Sequence, residues 1–231
     1  MTIRMYDLAG SNPAVRFSPY CWRIRMALAH KGLEVETIPW RFVEKDVIAF
    51  SGQGFVPVLR DGDTVAHDSW AIAEYLDKTY ADRPPLMDGE QGRALANFAR
   101  HYSQNVLAST IMKAILPDVF HALAAKDQPY FRESREKRLG APLESFSTTP
   151  EAALASMSQA MSPLRAVLKE QPYVNGRHPA FADYCVFGAF MWARNTSPVK
   201  LVAEDDPVYA WRERMLDLYD GLARKSARAT A

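Results

Sequence analysis

The sequence predicts two unlike halves, an α+β first domain of βαβ then ββα order and an all-helical second domain. Three observations carry that expectation. Up to about residue 80, period-2 apolar runs alternate with helix start and stop signals. The stretch DRPPLMD, Asp82 to Asp88, is polar and proline-rich, as linkers are. Beyond it no convincing period-2 run occurs through to the C-terminus. The expected division is residues 1–82, a linker at 83–88 and a helical domain at 89–231.

Ile3 to Leu8 alternates in the manner of a strand, and SNPAV breaks it with turn formers. The stretch FSPYCWRIRMALAHKG follows. Ser18 stands where a helix N-cap belongs, Pro19 takes the first helical position, where a missing N–H is harmless, and Gly32 ends the helix after His30 and Lys31. Trp22, Ile24, Met26, Ala27, Leu28 and Ala29 give its buried face, with Arg23, Arg25 and Lys31 expected on the solvated side. Such a helix start, with unpaired N–H groups and partial positive charge, favours an anion just in front of Ser18.

Val35 to Trp40 is the second strand, closing a βαβ unit whose crossover helix implies a parallel pair. An irregular loop, Arg41 to Gly54, leads to Val58 to Arg60 and Thr64 to Ala66, a hairpin turning at Asp61 and Gly62. Pro57 directly precedes that strand, where a cis bond in a tight turn fits better than a trans one. Asp68 and Ser69 make an N-cap pair for a helix over Trp70 to Lys78, with Ile72, Ala73, Leu76 and Tyr80 as its apolar stripe. In the second half, helices are expected at Glu90–Ala124, Gln128–Leu139, Glu151–Glu170, Phe181–Arg194 and Pro207–Arg224. Pro117 should kink or end the first of these, and Pro163 should kink the third or open a new segment. FADYCVFGAFMWA is apolar nearly all round and too short to span a membrane, so it reads as the buried central helix.

Composition narrows the function classes. The 231 residues are 48% hydrophobic and 24% charged with a formal charge of +1, and the basic residues are interspersed with acidic ones. Nothing in this suggests a nucleic-acid-binding or anionic-membrane surface. No apolar run approaches the roughly 20 residues of a bilayer span, and the N-terminus lacks a signal-peptide core, so a cytoplasmic protein is expected. Cys21 and Cys185 cannot make a disulfide framework, and the five histidines show no metal-ligand spacing, so no metal is expected.

The strings SPYCWRIRMALAHKG, FVPVLRDG, HDSWAIAEYLDKTY and FADYCVFG, in that order, resemble the soluble glutathione S-transferase superfamily from near Ile3 to about Leu222. The resemblance implies a thioredoxin-like first domain. SPYCWR with DSWAIAEYLD looks most like the serine-type bacterial members related to the β-etherases, and CWRIRMAL is also similar to the zeta class, which contains maleylacetoacetate isomerase.

What the resemblance implies is specific. Ser18 would donate its hydroxyl hydrogen to the sulfur of glutathione, the co-substrate, and hold it as thiolate. Val56, before Pro57, would offer its backbone to the cysteinyl part. Asp68 would bind the γ-glutamyl ammonium, a shorter reach than the Glu that many relatives carry, and Ser69 with its helix N-terminus the γ-glutamyl carboxylate. Arg41, Lys45 and Gln53 are candidates for the glycyl carboxylate. The thiolate would attack a hydrophobic electrophile held by the helical domain, with His101, Tyr102, Asn105, Met112 and Phe120 as candidate pocket residues by helical spacing. β-Aryl ether cleavage, a zeta-like cis/trans isomerisation and a generic halide conjugation are the forms of reaction implied, in a homodimer.

Two other functions stay open. SPYC also resembles the glutaredoxin CPYC sequence with its first cysteine replaced by serine; half a redox motif runs no dithiol cycle, but a thiol transfer through Cys21 remains an alternative. The other is a binding protein that keeps the fold without turnover. Each candidate has a structural counterpart, since Ser18, Asp68 and Ser69 are good caps on their own account, and packing explains the pocket candidates as well. In the second domain the family's Ser or Thr cap is Ala180 here, with Asp183 retained, so one cap bond worth about 1 kcal/mol is expected to be missing.

Overall fold

The computed structural model describes residues 2–146 and 148–229; the outer ends of the two expected domains, Met1 and residues 230–231, lie outside them. The first half builds a four-stranded sheet in the order β2-β1-β3-β4 from β1 (Ile3–Leu8), β2 (Val35–Trp40), β3 (Val58–Asp61) and β4 (Thr64–His67). β1 and β2 run parallel, as a helical crossover requires, and β3 is antiparallel to both β1 and β4. The hairpin turns on Gly62 and Asp63, one residue later than expected, because Asp61 still pairs with Thr64 and Gly62 takes the left-handed φ of 58°. Helices α1 (Pro19–His30) and α2 (Ser69–Thr79) complete this unit. The Val56–Pro57 bond is cis.

After α2 every regular element among the described residues is helical: α3 (Gly89–Tyr102), α4 (Ala108–Ala122), α5 (Gln128–Leu139), α6 (Pro150–Ala160), α7 (Ser162–Glu170), α8 (Phe181–Thr196) and α9 (Pro207–Gly221). Two expectations are corrected here, in the first and last of these helices, and at Pro163 the expected opening of a new segment is what occurs. The long helix expected over Glu90–Ala124 is two helices joined by a π-helical turn, Ser103–Leu107, whereas Pro117 lies inside α4 without ending it. The helix expected over Glu151–Glu170 breaks at Met161, and Pro163 sits in the first turn of α7, where proline is tolerated. Helical geometry in α9 stops before Leu218, because Tyr219 and Asp220 adopt φ of 54° and 56°.

A third correction concerns α1. Arg23 and Lys31, expected on a solvated side, are 4% and 1% exposed. The second domain covers Arg23, whose guanidinium lies 4.8 Å from the Tyr20 ring. Lys31 Nζ pairs with Asp77 Oδ1 at 2.7 Å and donates to Tyr80 O, so the end of α1 is fastened to α2. Arg25 is half-buried over the Trp22 ring.

The two halves share one core. α8, buried along nearly its whole length, lies against α1, and at Gly188 the backbones come so close that an added Cβ would sit 2.2 Å from Pro19 O. Asn195 Nδ2 donates to Arg16 O at 2.8 Å, and Phe181 N to Leu86 O at 3.0 Å. Ala180 has no side-chain acceptor, so half of the capping box is absent. Asp183 does more than occupy the other half: its carboxylate accepts from the N–H groups of Val174, Asn175 and Ala180 and from Trp211 Nε1.

Candidate active site

The sheet register brings the first-domain candidates to one end. Val58 pairs with both Tyr6 and His67. Val56 and Pro57 therefore stand just before β3 at the same end where Asp68 and Ser69 stand just after β4. β1 finishes there too, and Phe17 N donates to Leu8 O, which seats Ser18 beside the end of β1. Both α1 and α2 start at this end, so two helix N-termini with their partial positive charge face it.

Ser18 is 4% exposed and caps α1: its Oγ accepts from Cys21 N–H at 3.3 Å. Accepting with oxygen leaves the hydroxyl hydrogen to donate, and the buried Cys21 thiol is the acceptor beside it. Asp68 caps α2 with Oδ1 alone, which accepts from Trp70 N at 2.9 Å and Ala71 N at 3.2 Å, so Oδ2 remains to accept from a cation. Its φ is 67°, left-handed geometry that an aspartate tolerates better than most residues but that still costs about 1 kcal/mol or more. Asp68 is exposed and Ser69 buried.

Between the domains lies a cavity of about 520 Å³. Ser18 and Val56 are in its wall, and so are Asn105 and Met112 among the second-domain candidates. Pro57, Asp68 and Ser69 are outside the lining, at the sheet end beside it. His101, Tyr102 and Phe120 are corrected: none lines this cavity. Tyr102 Oη donates to Ala160 O at 2.6 Å and borders a separate groove, His101 is exposed, and the Phe120 ring lies under Arg132. For His101 and Tyr102 the π turn is the reason, whereas Phe120 lies one residue, about 100°, round α4 from the lining residue Val119. An α-helix advances about 100° per residue, so the wider turn rotates everything after it relative to His101 and Tyr102. Gln104, Ala108 and Ser109 also line the wall, the last two on the helical face that Asn105 and Met112 share.

Much of the rest of the wall is aromatic: Tyr20, Trp40, Phe42, Phe55, Tyr130 and Phe131 belong to it. Of these Phe55 is 71% exposed at the mouth. α5 adds Arg135 and Arg138, whose approach to this wall no motif announces. Arg41 and Gln53 are engaged elsewhere: Arg41 donates to Gly10 O and Ser11 O, and Gln53 bonds within its own loop to Ser51 and Phe55. Lys45 donates to Gly54 O, and its ammonium lies over the rings of Trp40, Phe55 and Tyr130.

Cys21 is wholly buried, and burial followed by the nearby Asp7 carboxylate pushes its thiol up, away from the reactive thiolate. Asp7, also buried, has neither carboxylate oxygen in a hydrogen bond, with Arg25 at 3.7 Å and Arg16 at 3.9 Å. Burial raises its pKa, and the two guanidinium groups oppose that rise only in part.

Fold and site together define a two-domain protein of thioredoxin-like plus all-helical construction, with a capped helix start facing an interdomain aromatic cavity. The sequence profile described as the glutathione S-transferase C-terminal domain matches residues 94–213, and that described as the N-terminal domain matches residues 17–79. The chain belongs to the glutathione S-transferase family. Arabidopsis thaliana glutathione S-transferase Z1 is 40% identical over 81 residues, which cover 33% of this chain and 36% of that protein. Among solved structures, the glutathione transferase GSTFuA3 of Phanerochaete chrysosporium superposes with a TM-score of 0.78 at 24% identity, over 96% of this chain and 92% of that one. CsGST63524 of Ceriporiopsis subvermispora, solved in complex with glutathione, gives 0.75 at 24% identity over 95% and 97%. At that identity the likeness to the solved structures is one of fold.

Proposed function

We propose that this protein is a glutathione transferase in which Ser18 holds the sulfur of glutathione as a thiolate for attack on a hydrophobic electrophile in the 520 Å³ cavity. The observation that carries the reading is Ser18 itself, its oxygen satisfied by the Cys21 N–H and its hydrogen left to donate, at a helix start in the wall of an aromatic cavity. A free thiol titrates near ~8.5, and lowering it by about two units asks for roughly 2.7 kcal/mol. One hydrogen bond to a charged acceptor, about 1.5–3 kcal/mol, together with a helix N-terminus, about 0.3–1 kcal/mol, supplies that.

The remaining grips follow from the chain's own groups. Val56 offers backbone N–H and C=O to the cysteinyl segment, Asp68 Oδ2 accepts from the γ-glutamyl ammonium, and Ser69 with the first turn of α2 takes the γ-glutamyl carboxylate. In the conjugation step a carbon–sulfur bond forms as the leaving group departs with its electron pair, and the thiol proton goes to solvent. The aromatic walls suit an aryl-bearing electrophile, so β-aryl ether cleavage is the leading form. The zeta-class likeness over a third of the chain supports cis/trans isomerisation as the alternative. Family membership supports pairing of two copies, and sedimentation at about twice 26.0 kDa is the outcome that fits.

The test is conjugation of glutathione to 1-chloro-2,4-dinitrobenzene and to a β-aryl ether. Ser18→Ala should abolish the rate, whereas Cys21→Ser should not. The reverse pattern would overturn the serine mechanism in favour of thiol transfer through Cys21. Retention on immobilised glutathione with no rate on any electrophile would favour a binding protein.

A further inference from the structure

The cavity's charge distribution points beyond a merely hydrophobic electrophile. Among the described residues lining it there is no aspartate and no glutamate, and its two charged residues are both arginines, Arg135 and Arg138. They stand one helical turn apart on α5, on the same face. Neither forms an ion pair with a described carboxylate. The Arg135 guanidinium donates to Ser134 Oγ at 2.9 Å and lies over the rings of Phe131, at 4.7 Å, and Phe42, at 5.4 Å. Arg138 donates to Met112 Sδ at 3.1 Å, a weak acceptor for so strong a donor.

An ordinary surface explanation covers only part of this. Cations in the last turn of a helix complement its dipole, which accounts for Arg138 being at the end of α5. It does not account for a guanidinium turned onto a cavity-wall thioether, nor for a second one slid between two rings with no counter-charge. α5 keeps its carboxylate partners for the neighbouring position: Glu136 and Glu144 both pair with Arg132. Burial first, and then the charge of Arg138, push Arg135 down to about 10, so it stays charged at neutral pH while repelling its neighbour. Lys45, the other cation close to these rings, is already held by Gly54 O.

We infer that the cavity selects an aromatic electrophile bearing an anionic group, with Arg135 and Arg138 receiving the anion while the ring stacks among Phe42, Tyr130 and Phe131. An anion there supplies both guanidinium groups with the charged acceptor they lack and offsets their mutual repulsion. The aromatic wall holds the plane of the ring, and the charge fixes which end points towards Ser18. This rests on the transferase reading for what happens to the bound molecule, but the binding preference is measurable without turnover.

The experiment is isothermal titration of the protein with unreactive 3,5-dinitrobenzoate and with its methyl ester, at pH 7 and low salt. The acid should bind at least about tenfold more tightly than the ester. Arg135→Gln with Arg138→Gln should bring the two affinities together, and Arg135→Lys should keep part of the preference because the charge remains. Circular dichroism verifies that the variants fold; should the double variant not fold, the exposed Arg138→Gln alone must still reduce the ratio. Equal binding of acid and ester by the unaltered protein, or a preference that survives the double substitution, would overturn the inference. If the preference is present in a protein that conjugates nothing, the anion site stands and the transferase reading falls; a failure of Ser18→Ala to abolish turnover likewise bears on the mechanism alone.

Discussion

Gly188→Ala is the substitution that tests how the second domain holds the first in register. In an exposed helix, replacing glycine by alanine stabilises by about 1 kcal/mol. Here the added Cβ would lie 2.2 Å from Pro19 O, 3.2 Å from its carbonyl carbon and 3.4 Å from Arg23 Cγ. The first of these is about 1 Å short of an ordinary contact, and the obstacle is backbone. Overpacking of this kind costs about 1–3 kcal/mol. With a rigid carbonyl as the obstacle the upper half of that range applies, leaving a net loss of about 1–2 kcal/mol after the helix gain. In a chain of this size the melting temperature then falls by about 2–8 °C. The displaced carbonyl belongs to the residue after Ser18, and a shift of about 1 Å at a reacting group costs up to about 100-fold in rate. Scanning calorimetry reads the first effect, and kcat/KM for the proposed glutathione conjugation reads the second. A melting temperature equal to or above that of the parent, with kcat/KM unchanged, would refute the account of α8 as the support of the site.

Other expectations concern groups outside the cavity. Cys21 and Cys185 are both fully buried with thiols pushed up by burial, so neither should react with a thiol reagent at pH 8 until the chain is unfolded, when both should; mass spectrometry of labelled protein decides this. Lys31→Met removes the buried partner of Asp77, which keeps the Leu86 and Met87 N–H groups, and should lower stability by about 2–3 kcal/mol in urea unfolding. Because the folded pKa of Asp7 is raised, the folded state binds that proton more tightly than the unfolded one, and this contribution to stability is lost as pH rises from about 4 through the folded value. Asp7→Asn should flatten that part of the pH profile and leave stability at pH 7 equal or higher, read as the urea midpoint at a series of pH values. Asp183→Ala, which strands four donors, should cost about 3–5 kcal/mol in the same assay or prevent folding.

Local chemistry made much of the fold legible. The cap, proline and glycine that bracket α1 act within a few residues of one another, and the boundaries of β1, β2 and α5 follow from alternation and capping in the same way. What short-range patterns do not contain is the identity of the surface that arrives from elsewhere. Arg23 and Lys31 look solvated from α1 alone, because the coverings they receive lie at least 46 residues further along, at Asp77 and beyond. Asp183 could be read as a half-cap, but the Trp211 indole that it also binds is supplied by α9. At the site, Ser18 and Val56 were legible because each belongs to a short motif. Arg135 and Arg138 were not, since a helix full of charges gives no sign of which ones turn inward.

The π turn at Ser103–Leu107 separates two jobs that a single helix would have to perform with one phase. Upstream, its hinge residue Ser103 fastens to α8 through Cys185 O, while downstream Asn105 and Met112 form the cavity wall. One surplus residue thus works as an indexing step. Removing it, for example by deleting Val106, which is outside the cavity wall, would leave α3 seated on α8 and present a different row of α4 side chains to the cavity. Substrate range in this architecture is therefore adjustable by changing chain length at one turn, with no substitution of any wall residue.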